Sequence, residues 1–222
     1  MAADFQDLRT KMVDNQIRTT DVTDLSVIDA FLTVPREAFV PSARKAVAYI
    51  DEDILLEGEG GAPRYLMEPS PFAKLVQLAR IGKKDVVLDI GCGTGYSSAV
   101  LSHLAGSVIG LESDSALSAE ATTRLTELGY DNVVIVSGDM SSGYPSEAPY
   151  DVIMIEGAVD FVPEPLFQQL KEGGRLIAVE GRGNASVARL YVKENGVASG
   201  RMAFNTAIRF LPGFERVPQF EF

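Results

Sequence analysis

Residues that carry much of enzyme chemistry are scarce in this chain. Its 222 residues include one cysteine, Cys92, one histidine, His103, and no tryptophan. A single cysteine excludes an internal disulfide and leaves no cysteine-based structural metal site. A single histidine excludes the histidine-rich zinc and iron centres, so no metal is expected. Cys92 reads as a small loop residue and His103 as a helical bystander facing solvent, not as a nucleophile and its base. Positive charge is also short: 20 Lys and Arg stand against 31 Asp and Glu, a net charge of -11. With no local basic cluster, such a chain does not attract a phosphate backbone, and no nucleic-acid partner is expected. No apolar run approaches the roughly 18 residues of a membrane span. The N-terminal stretch from Met1 to Arg9 has no apolar segment behind a basic start, so it does not read as a secretory signal. A cytoplasmic monomer is the expectation.

What is present suits one α/β domain. Hydrophobic residues make up 46% of the chain, enough for a sizeable core. Leu8, Met12, Val13 and Ile17, then Leu25, Ile28, Phe31 and Leu32, recur at helical spacing, and Pro35 ends the second run. Residues 51–64 read as a loop rich in glycine and acids. Ser70 reads as an N-cap and Pro71 as the first helical position of the next helix. From residue 85 the pattern changes. Val86-Val87-Leu88-Asp89-Ile90 is a short continuous apolar run, as a buried parallel strand requires. Helix and strand then alternate: a helix over 96–104, a strand over 108–111, a helix over 115–128 ended by Gly129, and strands over 133–136, 151–155 and 175–179 with a helix near 165–170. Tyr191 to Glu194 followed by Asn195-Gly196 reads as a strand entering a hairpin, and residues 207–211 as a further strand. The expected architecture is a Rossmann-like, seven-stranded, mostly parallel sheet with helices on both faces, antiparallel at one edge. Residues 1–80 form an N-terminal helical extension and 81–222 the core.

The chemistry gathers behind the first strand of that core. Gly91, Gly93 and Gly95 follow it directly, where a backbone must turn tightly and approach a ligand. A dinucleotide loop spaces its last two glycines one residue further apart. Here an acid, Asp89, also precedes the loop, which disfavours a pyrophosphate and favours a cationic ligand. S-adenosylmethionine carries an ammonium and a sulfonium and no phosphate. Asp89 is therefore assigned to its amino-acid end. Glu112 ends the next strand, 21 residues after Gly91, where a carboxylate can accept from both ribose hydroxyls. Asp139 ends the third strand, in reach of an adenine amino group. The expected cofactor-binding set is Asp89, Gly91, Cys92, Gly93, Tyr96, Glu112, Ser113, Asp139, Met140 and Glu156.

With these motifs in place, the chain resembles the protein-L-isoaspartate (D-aspartate) O-methyltransferase family over nearly its whole length. Met12-Val13-Asp14-Asn15-Gln16-Ile17-Arg18 is similar to the family's opening helix. Val34-Pro35-Arg36-Glu37-Ala38-Phe39-Val40-Pro41 is close to its most recognisable early motif, and Ala48-Tyr49-Ile50-Asp51 follows in place. The run from Val87 to Tyr96 matches its cofactor loop. Gly173-Gly174-Arg175-Leu176 and Ile208-Arg209-Phe210-Leu211-Pro212 match later motifs. The resemblance implies a class I methyltransferase fold, S-adenosylmethionine as cofactor and a damaged protein or peptide as partner. It implies methylation of the free α-carboxylate of an isoaspartyl residue, whose ester collapses to a succinimide and hydrolyses in part to normal aspartate.

Two segments depart from the family pattern. The family carries Thr-Ile-Ser or a similar run before Pro69, and its hydroxyls line the place of methyl transfer. This chain has Arg64-Tyr65-Leu66-Met67-Glu68-Pro69. Arg64 and Tyr65 can still orient a carboxylate by charge and hydrogen bond, whereas Met67 has no hydroxyl and reads as a packing residue. In Ile155-Glu156-Gly157-Ala158 an acid replaces a small neutral residue. A charged Glu156 would repel an anionic acceptor; it is either a surface acid after the strand or part of a site for a different acceptor. Two alternatives to isoaspartyl methylation therefore stand: a methyltransferase with another acceptor, or a cofactor-binding protein without catalysis.

Overall fold

The computed structural model describes residues 4–58 and 61–216. Helices α1 (Phe5–Met12) and α2 (Leu25–Thr33) come first, α1 running on into a π-helical turn over Val13–Ile17. Asp24 caps α2 by accepting from the backbone N–H groups of Ser26 and Val27. A two-stranded hairpin follows, β1 (Ile54–Leu56) against β2 (Arg64–Leu66). The stretch read from sequence as a loop over 51–64 thus holds short strands, too short for period-two patterning to register. Helix α3 spans Pro69–Ala79. It begins earlier than Ser70 and Pro71 suggested, because Pro69 already supplies the fixed φ of the first helical position.

The core sheet then forms. Its elements are β3 (Val86–Ile90), α4 (Tyr96–Ser102), β4 (Ser107–Glu112), α5 (Ser115–Glu127), β5 (Val133–Ser137), β6 (Tyr150–Val159), α6 (Glu164–Gln168), β7 (Leu170–Glu180), β8 (Val187–Glu194) and β9 (Val197–Asn205). The strand order is β5-β4-β3-β6-β7-β8-β9. Pairings are parallel from β5 through β7 and antiparallel for β7–β8 and β8–β9. The hairpin turn falls at Asn195 and Gly196, with φ of 53° and 78°, the left-handed pair of a type I′ turn. Its return strand is β9. Residues 207–211 do not form the strand expected there; they make one bridge, Phe210 to Ala158. The sheet edge had already been completed by β9, which the polar run Ser199-Gly200-Arg201 concealed.

Adjacent residues of the central strands feed different apolar clusters. Val87 joins the cluster built on α2, α3, α4 and α5, and Leu88 and Ile90 join the one that includes Leu166 of α6, Met140, Leu211 and Phe214. Both faces of the sheet are therefore covered, which is why these strands read as continuous apolar runs. No helix among the described residues is long and apolar enough to cross a membrane.

Candidate active site

The carboxyl ends of β3, β4 and β6 converge, and each presents an acid: Asp89, Glu112 and Glu156. The loop leaving β3 makes the convergence possible. Gly91 and Gly93 hold φ of 84° and 56°, a region that side chains avoid. A Cβ on Gly93 would also lie 2.7 Å from Leu56 Cδ1. The loop's backbone is thus held close to β4 on one side and to the β1–β2 hairpin on the other.

Glu112 is fully buried, and its carboxylate is saturated. Oε1 accepts from Arg64 Nη1 at 2.5 Å, from Ser113 N at 2.8 Å and from Asp114 N at 3.0 Å. Oε2 accepts from Arg64 Nη2 and from Gly93 N, both at 2.8 Å. Arg64, also buried, donates again to the Gly91 carbonyl at 3.1 Å and lies 3.9 Å from Met140 Sδ. The guanidinium therefore sits between the acid assigned to ribose and the glycine loop. Arg64 was expected on the acceptor side; here it points into the cofactor crevice.

Asp89 is fully buried as well. Its Oδ2 accepts from Ser97 Oγ at 2.7 Å and Ser98 Oγ at 2.6 Å in the first turn of α4. Its Oδ1, like Glu156 Oε1, is buried without a protein donor. The charge of Asp89 acts on the Glu156 carboxyl. Burial pushes Asp89 up to about 6, with the nearby charge of Glu112 adding to the rise. Burial and the Asp89 charge push Glu156 well above the usual range. Both shifts favour the neutral form, as burial of an acid does. Glu156 is accordingly no surface acid, and a carboxyl pushed up in this way repels an anionic acceptor less than a free one.

The remaining set divides. Ser113 supports Glu112 through its backbone, and Met140 is buried against Arg64. The Cys92 thiol is buried, and burial raises it, so it does not serve as a nucleophile. Tyr96 belongs to an aromatic cluster with Phe31, Phe39 and Phe72 beneath the loop. Asp139 is exposed and turned to its own turn: Ser141 and Ser142 hydroxyls donate to it at 2.6–2.9 Å. His103 is half-buried and edge-on to Tyr130 rather than facing solvent.

A residue the sequence pattern did not single out is Arg36. It is fully buried, donating from Nε to the Ala48 carbonyl at 2.7 Å and from Nη2 to the Met67 carbonyl at 2.8 Å. Its guanidinium also lies 4.9 Å from the Tyr96 ring centroid. It ties the early motif to the acceptor segment. The available signal was an arginine inside an otherwise apolar motif, Val34 to Val40.

The donor set fits an adenosyl ligand with an ammonium: glycines at the closest approach, a carboxylate for hydroxyls and a carboxyl pair with two unsatisfied oxygens. The space is another matter. A cavity of about 10 Å³ remains among Leu56, Tyr65, Met67, Gly91, Tyr96 and Glu156, room for about one water. Arg64 already occupies both oxygens of Glu112, the acid assigned to the ribose hydroxyls.

Acids at successive strand ends around a glycine loop, on this strand order, define a class I S-adenosylmethionine-dependent methyltransferase. The model of the protein-L-isoaspartate (D-aspartate) O-methyltransferase family matches residues 7–217, and the chain belongs to that family. A protein-L-isoaspartate O-methyltransferase from Roseiflexus castenholzii is 37% identical over 210 residues, covering 94% of this chain and 93% of that one. An Anaeromyxobacter relative named protein-L-isoaspartate O-methyltransferase 2 is 35% identical, covering 92% and 82%. A solved protein-L-isoaspartate O-methyltransferase superposes with a TM-score of 0.80 at 30% identity, over 93% of this chain and 67% of its own. A Plasmodium falciparum structure bound to S-adenosyl-L-homocysteine shares the fold, with a TM-score of 0.77 at 19% identity over 95% and 99% of the two chains.

Proposed function

We propose that the chain transfers a methyl group from S-adenosylmethionine to the α-carboxylate of isoaspartyl residues in damaged proteins or peptides. The observation that carries this reading is the crevice of Asp89, Glu112 and Glu156 around the glycine loop, within a chain that matches the family over residues 7–217. When bound, S-adenosylmethionine supplies an electrophilic methyl on its sulfonium. Glu112 accepts from the ribose hydroxyls, aided by Ser113 and by the Gly93 backbone. The unpartnered oxygens of Asp89 and Glu156 would accept from the ammonium of its amino-acid end, whose charge would favour the ionised carboxyls. Gly91, Cys92 and Gly93 contribute backbone, and Tyr96 supports the loop from below. Met140 and Asp139 border the adenine side.

The acceptor is its own nucleophile. A carboxylate is already ionised near neutral pH, so the protein supplies no base. Its task is alignment and exclusion of water. Tyr65 borders the cavity beside Gly91 and carries the one side-chain hydroxyl of the Arg64–Pro69 segment. Arg64, whose guanidinium is held by Glu112 and the Gly91 carbonyl, belongs to the cofactor side of the crevice instead. Tyr65 is proposed as an acceptor-positioning residue, and the setting is taken to be cytoplasmic.

Met67 in place of a hydroxyl supports a second reading, transfer to a different acceptor on the same scaffold. Labelled S-adenosylmethionine, offered with an isoaspartyl peptide and its normal aspartyl twin, separates the two. Base-labile label on the first peptide alone is the expected result. Cofactor binding without transfer to either peptide would refute isoaspartyl methylation.

A further inference from the structure

We infer that Arg64 is a built-in competitor for the ribose side of the cofactor site, so that S-adenosylmethionine binds by displacing its guanidinium from Glu112. The inference rests on the assignment of Glu112 to ribose. Three observations support it. First, the guanidinium makes two near-parallel hydrogen bonds to Glu112, at 2.5 and 2.8 Å, the bidentate arrangement that is strongest between arginine and carboxylate. A vicinal diol would present two hydroxyl donors to the same two oxygens. Second, Arg64 Nη2 also caps the Gly91 carbonyl at 3.1 Å. The guanidinium therefore bridges the two surfaces a ligand must part. Third, Arg64 is no tethered surface residue that could move at no cost. It begins β2, is buried and continues into Tyr65 and Met67.

The consequence is quantitative. A site whose binding-competent form is populated only in part has its affinity reduced by that fraction. Arg64 thus sets the cofactor affinity from inside the crevice. Glu112 retains the backbone donors of Gly93, Ser113 and Asp114 when the guanidinium leaves. The exchange consequently leaves no naked carboxylate.

The test is calorimetric titration of S-adenosylhomocysteine into the full-length protein and its Arg64→Ala and Arg64→Lys variants. Circular dichroism verifies that each is folded. Arg64→Ala is expected to bind about tenfold more tightly or better. Arg64→Lys, which keeps the charge but not the fork, should fall between. Unchanged or weaker binding by a folded Arg64→Ala overturns the inference. If that variant does not fold, Arg64→Lys decides: tighter binding supports the competition, and unchanged or weaker binding ends it. Glu112→Gln in parallel separates the two claims. Loss of binding there with no gain at Arg64 removes the competition and leaves the cofactor assignment standing. Full binding by Glu112→Gln removes both.

Discussion

The two walls of the crevice are built on different principles. The cofactor wall consists of strand ends. Asp89, Glu112 and Glu156 are fixed by parallel pairing of β3 with β4 and β6, and each is locked by hydrogen bonds or by its neighbour. The acceptor wall is a three-residue strand, β2, held to a three-residue partner and followed by Met67. Moving an acid on the first wall requires a register change of the central sheet. On the second, only Tyr65 is less than fully buried; Arg64, Leu66 and Met67 are packed in. On the proposed reading, the sheet sets where the cofactor lies and the hairpin sets which acceptor meets it.

Breaking the cofactor wall should have the largest effect. Glu112→Gln removes the ribose acceptor and strands the buried Arg64 charge. Cofactor affinity should fall by ~100-fold, and stability by about 3–5 kcal/mol, the usual cost of halving a buried pair. Titration and chemical denaturation measure the two. On the acceptor wall, Met67→Ser alone, or with Tyr65→Thr, restores the hydroxyls whose place these residues take. If the contrast between walls holds, kcat on an isoaspartyl peptide rises about tenfold, the worth of one good hydrogen bond in the transition state. Cofactor affinity should not move. A fall in kcat would show that the acceptor wall has been adapted to another substrate.

The carboxyl pair gives a pH signature between these extremes. Asp89 and Glu156 titrate higher in the folded chain than in the unfolded one. The unfolded chain therefore binds fewer protons above about pH 4, and the pair's contribution to stability declines as pH rises toward and past 6. Glu156→Gln should cancel this. Its thermal midpoint is expected to exceed the parent's at pH 8 by a few degrees, about 1 kcal/mol in a domain of this size, with the gap closing at pH 4. A constant gap across that range would mean that the Glu156 carboxyl is not pushed up. The smallest effect is expected at the rim. Burial and the neighbouring Asp53, Asp51 and Glu52 push Glu68 up to about 7. Glu68→Gln should lower KM for an anionic peptide by roughly twofold at pH 8 and leave it unchanged at pH 6, where Glu68 is mostly neutral.

Legibility in the sequence followed the same division. The strand Val86–Ile90, the turn at Gly91 and the acid at Glu112 could be read because a strand buried on both faces has one apolar signature and a fixed exit. The turn at Asn195-Gly196 was legible through its dipeptide. The hairpin β1–β2 was not, since three-residue strands carry no periodicity, and β9 was hidden by polar residues on a half-exposed edge. Arg64 was noticed as a charge, but its target was not, because an ion pair 48 residues apart leaves no local trace. Glu156 misled for a related reason. Sequence reports an acid; only its packing against Asp89 shows that its carboxyl is pushed up.

Arg36 bears on how such an enzyme can change. Its bonds go to main-chain carbonyls, those of Ala48 and Met67, so they are indifferent to the side chain carried at residue 67. A lineage can therefore exchange serine for methionine there, or threonine for tyrosine two residues earlier, while the backbone trace stays anchored. The buried arginine works as a chassis for substitution: it lets the side chains along this segment change by point mutation without first undoing the fold.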